Sequence, residues 1–193
     1  MSLSELWSLY GQNYIDALLA TWGMTLESFV IAMVLAVAVT VMRVSPLKPL
    51  RVFGDLYVQV FRNIPGIALL IIVVYALPPL KIVLPYRTCV IVATVLLGSA
   101  FGSENFMSGI NTVGVGQVEA ARSLGMSFSR ILAKIVIPQA LRSSVLPMTN
   151  LFIAVMLTTA LGSQVPLQPQ ELTGVVSYIN TRSLGGVAAF FIS

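Results

Sequence analysis

Four apolar runs of about twenty residues recur along this chain, separated by short stretches that gather charge and proline. They cover about 22–42, 57–77, 88–110 and 141–161. A helix rising 1.5 Å per residue needs about twenty apolar residues to cross a hydrocarbon core of about 30 Å. Each run therefore predicts one membrane span. Arg43, Pro46, Lys48, Pro49 and Arg51 close the first, and Pro78 with Pro79 halts the second. After a loop rich in Gln, Pro and Ser, an apolar run at 186–193 begins a fifth. So short a run rises only about 12 Å as helix, so it predicts a truncated span. Residues 3–20 mix Trp7, Tyr10 and Tyr14 with Ser4, Glu5, Gln12 and Asp16, which predicts an amphipathic helix lying at the membrane interface.

Composition agrees with the pattern. Of the 193 residues 57% are hydrophobic and 9% charged, and the mean hydropathy is +0.92; soluble domains carry about 25% charged residues. The expected fold is an all-α integral membrane protein, one transmembrane domain over 1–193, without room for a soluble catalytic unit. Any ATPase must be another chain. The net charge of +4 does not point to nucleic acid, because the basic residues are scattered between apolar runs and form no aromatic-lined groove. Eight of the 11 basic residues fall around the first and third connections: Arg43, Lys48, Arg51, Arg62, Arg122, Arg130, Lys134 and Arg142. By the positive-inside rule that side is cytoplasmic, and the N-terminus, with no basic residue before Arg43, is outside. The start lacks the basic region of a secretory signal peptide, so the mature chain is expected to begin near Met1. Cys89, alone in an apolar run, reads as a small buried hydrophobe; no cofactor or metal is expected.

Between the third and fourth spans lies QVEAARSLGMSFSRILAKIVIP, residues 117–138, a charged helix-forming hairpin. Glu119 is placed in the first turn of its first helix and Arg122 near the end, where the helix dipole favours each sign. Gly125 suits the left-handed position that ends a helix. Ser127 or Ser129 is then expected to cap a second helix running toward Pro138. A short helix across the end of a bundle, held by a fixed turn, can act as a lever. The bland alternative is an ordinary amphipathic loop.

The spacing of Glu119, Ala120, Ala121, Gly125, Ile135 and Pro138 resembles the EAA signature of ATP-binding-cassette importer permeases. The stretches TVMRVSPLKPLR, VFRNIP, SGINTVGVGQVEAARSLG and IPQALRSSVLPMTN are similar to the polar amino-acid branch of that family, in particular to glutamate-type permeases of actinobacteria. The resemblance covers nearly all of 15–180. It implies a type I importer-like bundle in the bacterial cell membrane and a role in moving a polar amino acid. The implied partners are two cytoplasmic ATP-binding subunits, a second permease in a homo- or heterodimer, and an extracytoplasmic solute-binding protein. Glu119, Ala120, Ala121, Arg122 and Gly125 would couple to an ATPase. The chain departs from the family at Met107, where arginine is frequent, and at Leu157, where lysine or another polar residue is frequent; both changes remove cations from the presumed path.

Glu104 is the sharpest single residue. A carboxylate inside a span costs about 2.5–3.5 kcal/mol on insertion scales, so it must face a partner or water. With Asn105, Ser108 and Asn150 it could line a path for an amino-acid zwitterion, Glu104 meeting the ammonium; the alternative is a structural clamp between helices. Glu27 and Asp55, nearer span ends, read as interfacial. Pro65, Pro138 and Pro147 are candidate hinges, or plain kinks. Without histidine there is no Ser-His dyad, and no phosphate-binding loop is present, so no enzymatic activity is expected. The remaining alternative is a noncatalytic accessory or silent subunit, or a small channel.

Overall fold

The computed structural model describes residues 3–182, and every regular element among them is helical. The expected truncated span at 186–193 lies outside the described residues. Helix α1 runs unbroken over Leu3–Val44. Its 42 residues are about 63 Å of helix. The interfacial helix expected over 3–20 and the span expected from residue 22 are thus one element. No proline stands between them, and Gly23 alone costs a helix only about 1 kcal/mol. A buried stripe of Leu6, Tyr14, Ala17, Thr21, Met24, Ser28, Ala32, Ala36 and Val39 follows the helical period through the junction.

Helix α2 covers Lys48–Asn63 and α3 Gly66–Ile71. The second expected span is therefore interrupted at Ile64 and Pro65. Proline has no N–H to donate and disfavours helical backbone in the residue before it, which ends α2 there. A π turn at Ile72–Ala76 and a tight turn at Pro78–Leu80 follow α3.

Helix α4 spans Tyr86–Asn111, α5 Val115–Ser123, α6 Phe128–Ile131, α7 Ile137–Thr158 and α8 Leu172–Arg182. A π turn, Leu132–Val136, joins α6 to α7. Three helical stretches are long and apolar enough to cross a membrane, Ser4–Val44, Tyr86–Asn111 and Phe128–Gln164, and α2 with the segment to Leu80 makes a fourth if taken as one broken span. Helix α8 rises inside what the sequence suggested was a polar loop.

The chain divides into two compact units. One holds α1 up to Val30, Ile64–Val95 and the chain from Ala154. Here Leu6, Tyr14 and Ala17 of α1 pack with Val175, Val176 and Ile179 of α8, and Arg87 pairs with Glu27 at 2.8 Å. All four N-terminal N–H groups of α8 are satisfied. Leu172 donates to Thr21 Oγ1, Thr173 and Gly174 to the two carboxylate oxygens of Glu171, and Val175 to the Glu171 carbonyl. The other unit holds Ile31–Asn63 and Leu96–Ile153. In it Gly102 brings α4 close to Met33 and Ala36 of α1 and Leu151 of α7.

Candidate functional site

The hairpin folds as its local chemistry dictates. Helix α5 ends at Gly125, whose φ is +74°, a left-handed conformation that a side chain resists. Gly125 N–H donates to Arg122 O at 2.9 Å and Met126 N–H to Ala121 O at 3.1 Å. That pair of bonds is the Schellman motif, and Met126 completes it by packing on the cluster of Val113, Ala121, Ile131 and Val136. Ala121 of α5 is buried as a member of this cluster, whereas Glu119, Ala120 and Arg122 are exposed. Because α5 starts at Val115, Glu119 sits beyond the first turn, which holds no acid; Arg122 does stand in the last. Ser127 occupies the N-cap of α6 without a side-chain cap bond. Gln139 donates to Gln117 Oε1 at 2.7 Å and fastens α5 to α7.

Two of the three candidate hinge prolines stand at departures from regular helix, and the third lies within one. Pro65 stands between α2 and α3. Pro138 follows the π turn, whose widened pattern appears in the Ile137 N–H donating five residues back to Leu132 O. Pro147 lies inside α7, where its carbonyl accepts a bond from the Asn105 side-chain amide at 3.1 Å. Ser144 Oγ donates to Asn105 O, giving the α4–α7 contact a second bond.

Glu104 has two cationic partners, Arg43 Nη1 at 3.1 Å and Arg62 Nη1 at 3.5 Å. Arg43 also donates from Nε to Asp55 at 2.9 Å and from Nη1 to Ser103 Oγ at 3.3 Å. The Arg62 guanidinium lies 5.4 Å from the centre of the Phe101 ring. Arg43, Asp55, Arg62, Phe101 and Glu104 line an open cleft of about 330 Å³ together with Val58, Gln59 and Asn63. Of the residues proposed for a path, Glu104 faces this cleft, Asn105 is turned to α7, and Ser108 and Asn150 are exposed. Sequence reasoning used Arg43 and Arg62 only for topology and placed Asp55 at an interface. The spacing of Asp55 and Arg62, two helical turns apart on α2, was the available signal. Among the described residues no group of acids, cysteines or histidines is arranged to hold a metal.

Long apolar helices, an exposed lever-like hairpin and a charged cleft define a polytopic membrane protein with the architecture of a transporter subunit. The chain belongs to the family described as binding-protein-dependent transport system inner membrane component, whose profile matches residues 28–189. It is 35% identical over 173 residues to the glutamate transport system permease protein GluC of Corynebacterium efficiens, covering 83% of this chain and 76% of the relative. It is 31% identical over 191 residues to the L-cystine transport system permease protein TcyB of Bacillus subtilis, covering 96% and 80%. A crystal structure of an amino acid ABC transporter with histidines superposes with a TM-score of 0.90 at 25% identity, covering all of this chain and 88% of that one.

Proposed function

We propose that this chain is the permease subunit of an ATP-driven importer for a polar amino acid, and that ATP is hydrolysed on partner chains. In this reading the N-terminus is outside, and α1, the α2–α3 pair, α4 and α7 are the four full spans of a type I importer-like bundle. Two ATP-binding subunits dock on the cytoplasmic side, a second permease completes the pathway, and a solute-binding protein delivers the amino acid from outside. Drawing the ATP-binding subunits together moves α5, and the spans follow through joints at Pro65, Pro138 and Pro147. Glu104, Asn105, Ser108 and Asn150 belong to the polar path.

The observation that carries this reading is the Gly125 turn, which fixes α5 on a buried cluster while leaving Glu119, Ala120 and Arg122 outward. A rigid short helix with an exposed charged face suits a lever gripped by another protein. The test is copurification of the tagged chain with its genomically neighbouring ATP-binding subunit, followed by ATP turnover in the presence of binding protein loaded with single amino acids. Stimulation by one amino acid, lost in Glu119→Lys with membrane insertion intact, is the expected result. A chain that inserts stably and binds no ATPase would instead be an accessory subunit.

A further inference from the structure

The unit that holds Ile31–Asn63 and Leu96–Ile153 carries a second groove, chemically unlike the charged cleft. Val37, Val41 and Val44 of α1, Ile110 of α4, and Ile137 and Leu141 of α7 are among the residues that line its 210 Å³ or so. All of the lining residues are apolar except Thr40, whose hydroxyl is engaged by Ala36 O at 2.7 Å and Ser103 Oγ at 3.1 Å. The walls therefore offer a ligand no free side-chain hydrogen bond. A polar group laid there would lose water without gaining a partner, so the surface suits hydrocarbon. Val37, Val41 and Val44 recur at helical intervals, and the groove follows α1 for about 10 Å, roughly a third of a hydrocarbon core of about 30 Å. It is smaller than the usual small-molecule site of about 300–1,000 Å³, and a chain laid lengthwise fits it better than an enclosed ligand.

The groove ends beside charge. Val44 is the last residue of α1, Ile110 the last but one of α4 and Ile137 the first of α7, so the walls reach the end of the bundle. Lys48 follows Val44 by four residues. Arg130, Lys134 and Ile137 recur at intervals of four and three, which makes them neighbours on one helix face. All three cations are exposed, and none has an acidic partner among the described residues. Arg43 and Arg62 of the same unit, by contrast, are already neutralised by Asp55 and Glu104. Uncompensated positive charge at the end of a dry groove matches a ligand with an anionic head and an apolar tail. Basic pockets between membrane helices hold the head groups of such lipids. A zwitterionic lipid brings its own ammonium to the same cations and gains less.

We infer that this groove binds one anionic phospholipid, with an acyl chain along Val37, Val41 and Val44 and the phosphate on Arg130, Lys134 and Lys48. Arg130 presents a planar fork to the phosphate oxygens, and the two lysines supply point charges. The lipid joins α1 and α4 to the start of α7, next to the hairpin. The site needs no ATPase, substrate or second permease, so it goes beyond the importer reading and stands apart from it.

The test is native mass spectrometry of the full chain, delipidated in detergent and titrated with phosphatidylglycerol or phosphatidylethanolamine of identical acyl chains. One saturable phosphatidylglycerol adduct per chain is expected, at least tenfold tighter than the phosphatidylethanolamine adduct. Arg130→Gln and Lys134→Gln should each weaken it about fivefold, the worth of one basic residue at a membrane surface, and bring the two lipids closer in affinity. Lys81→Gln, at an exposed cation of the other unit, should leave it unchanged. Val41→Trp, which fills the groove from an exposed position, should weaken both lipids while the melting curve stays that of wild type. Equal affinity for the two lipids overturns the inference, as does unchanged binding in Val41→Trp or in Arg130→Gln combined with Lys134→Gln. A photocrosslinker placed at Val41 in cell membranes identifies the occupant directly. Capture of phospholipid is expected; capture of a second copy, of residues 183–193 or of another protein overturns the assignment.

Discussion

The side-chain amide of Asn105 donates to the carbonyl oxygen of Pro147 at 3.1 Å, joining α4 to α7 at the proline inside α7. A carbonyl oxygen has two lone pairs, so this bond leaves one for the helix's own ladder. Interhelical bonds of this kind in membranes contribute about 0.6 kcal/mol on average and up to about 1.7. Asn105→Leu, close in volume and without a donor, should lower the melting temperature in detergent by about 2–4 °C, the shift expected for about 1 kcal/mol in a chain of this size. An unchanged melting curve would mean that the bond does not hold the two helices together.

Two glycines should respond to alanine in opposite directions. A Cβ at Gly54 would lie 2.8 Å from Arg43 Cγ and 3.2 Å from the Val39 carbonyl oxygen. Arg43 cannot easily retreat, since Asp55 and Glu104 fix its guanidinium. Overpacking costs about 1–3 kcal/mol, more than the roughly 1 kcal/mol of helix propensity that alanine adds. At Gly116, in α5, nothing lies within 4 Å of the added atom, so only the propensity gain remains. Thermal melts should therefore show Gly54→Ala below wild type and Gly116→Ala at or slightly above it.

Where local chemistry decides, the chain could be read in one dimension. The left-handed turn at Gly125 and the run of α5 through Glu119 to Arg122 follow from glycine's missing Cβ and a short helix-favouring segment. The break at Pro65 follows from proline's missing donor, although its reach was underestimated, for it separates two helices. Other features depend on distant partners. The N-terminus of α8 rests on Thr21, 151 residues away in sequence, and on Glu171, which lacks the usual look of a cap. Glu104 was recognised as needing a partner, yet nothing local to it names Arg43 or Arg62. The continuity of α1 was missed because polarity changes near Ala20 while helix propensity does not. Polarity governs where a helix sits, and only a breaker ends it.

The hairpin turn offers a direct test of rigidity. At Gly125 the space for a Cβ is open, so any cost of substitution is backbone strain alone. Gly125→Ala should destabilise by about 1–2 kcal/mol, the penalty of left-handed backbone for an ordinary residue. Gly125→Asn, which tolerates that conformation, should lose less. If the turn sets the direction of α5, ATP turnover stimulated by loaded binding protein should fall in the order wild type, Asn, Ala, with insertion unchanged. Equal stimulation in all three would separate the turn from coupling.

Glu171 should give the protein an unusual response to acid. Its side chain is buried, and burial pushes the carboxyl pKa above its ordinary value, against the opposing pull of hydrogen bonds from the Thr173 and Gly174 amides. The folded state consequently keeps the proton to a higher pH than the unfolded chain does. The resulting stabilisation is fully present below the ordinary carboxylate range and is lost as pH rises through the raised value. Melting temperature should thus climb as pH is lowered through that window, opposite to the effect of a carboxylate held charged by a salt bridge. Glu171→Gln carries no titrating proton and should flatten this part of the profile. Glu171→Ala removes the acceptors for two α8 amides and should lower stability at every pH, by about 0.5–2 kcal/mol as for a lost helix cap. A wild-type profile that falls with acid and is unaffected by Glu171→Gln would show that burial does not control this carboxyl.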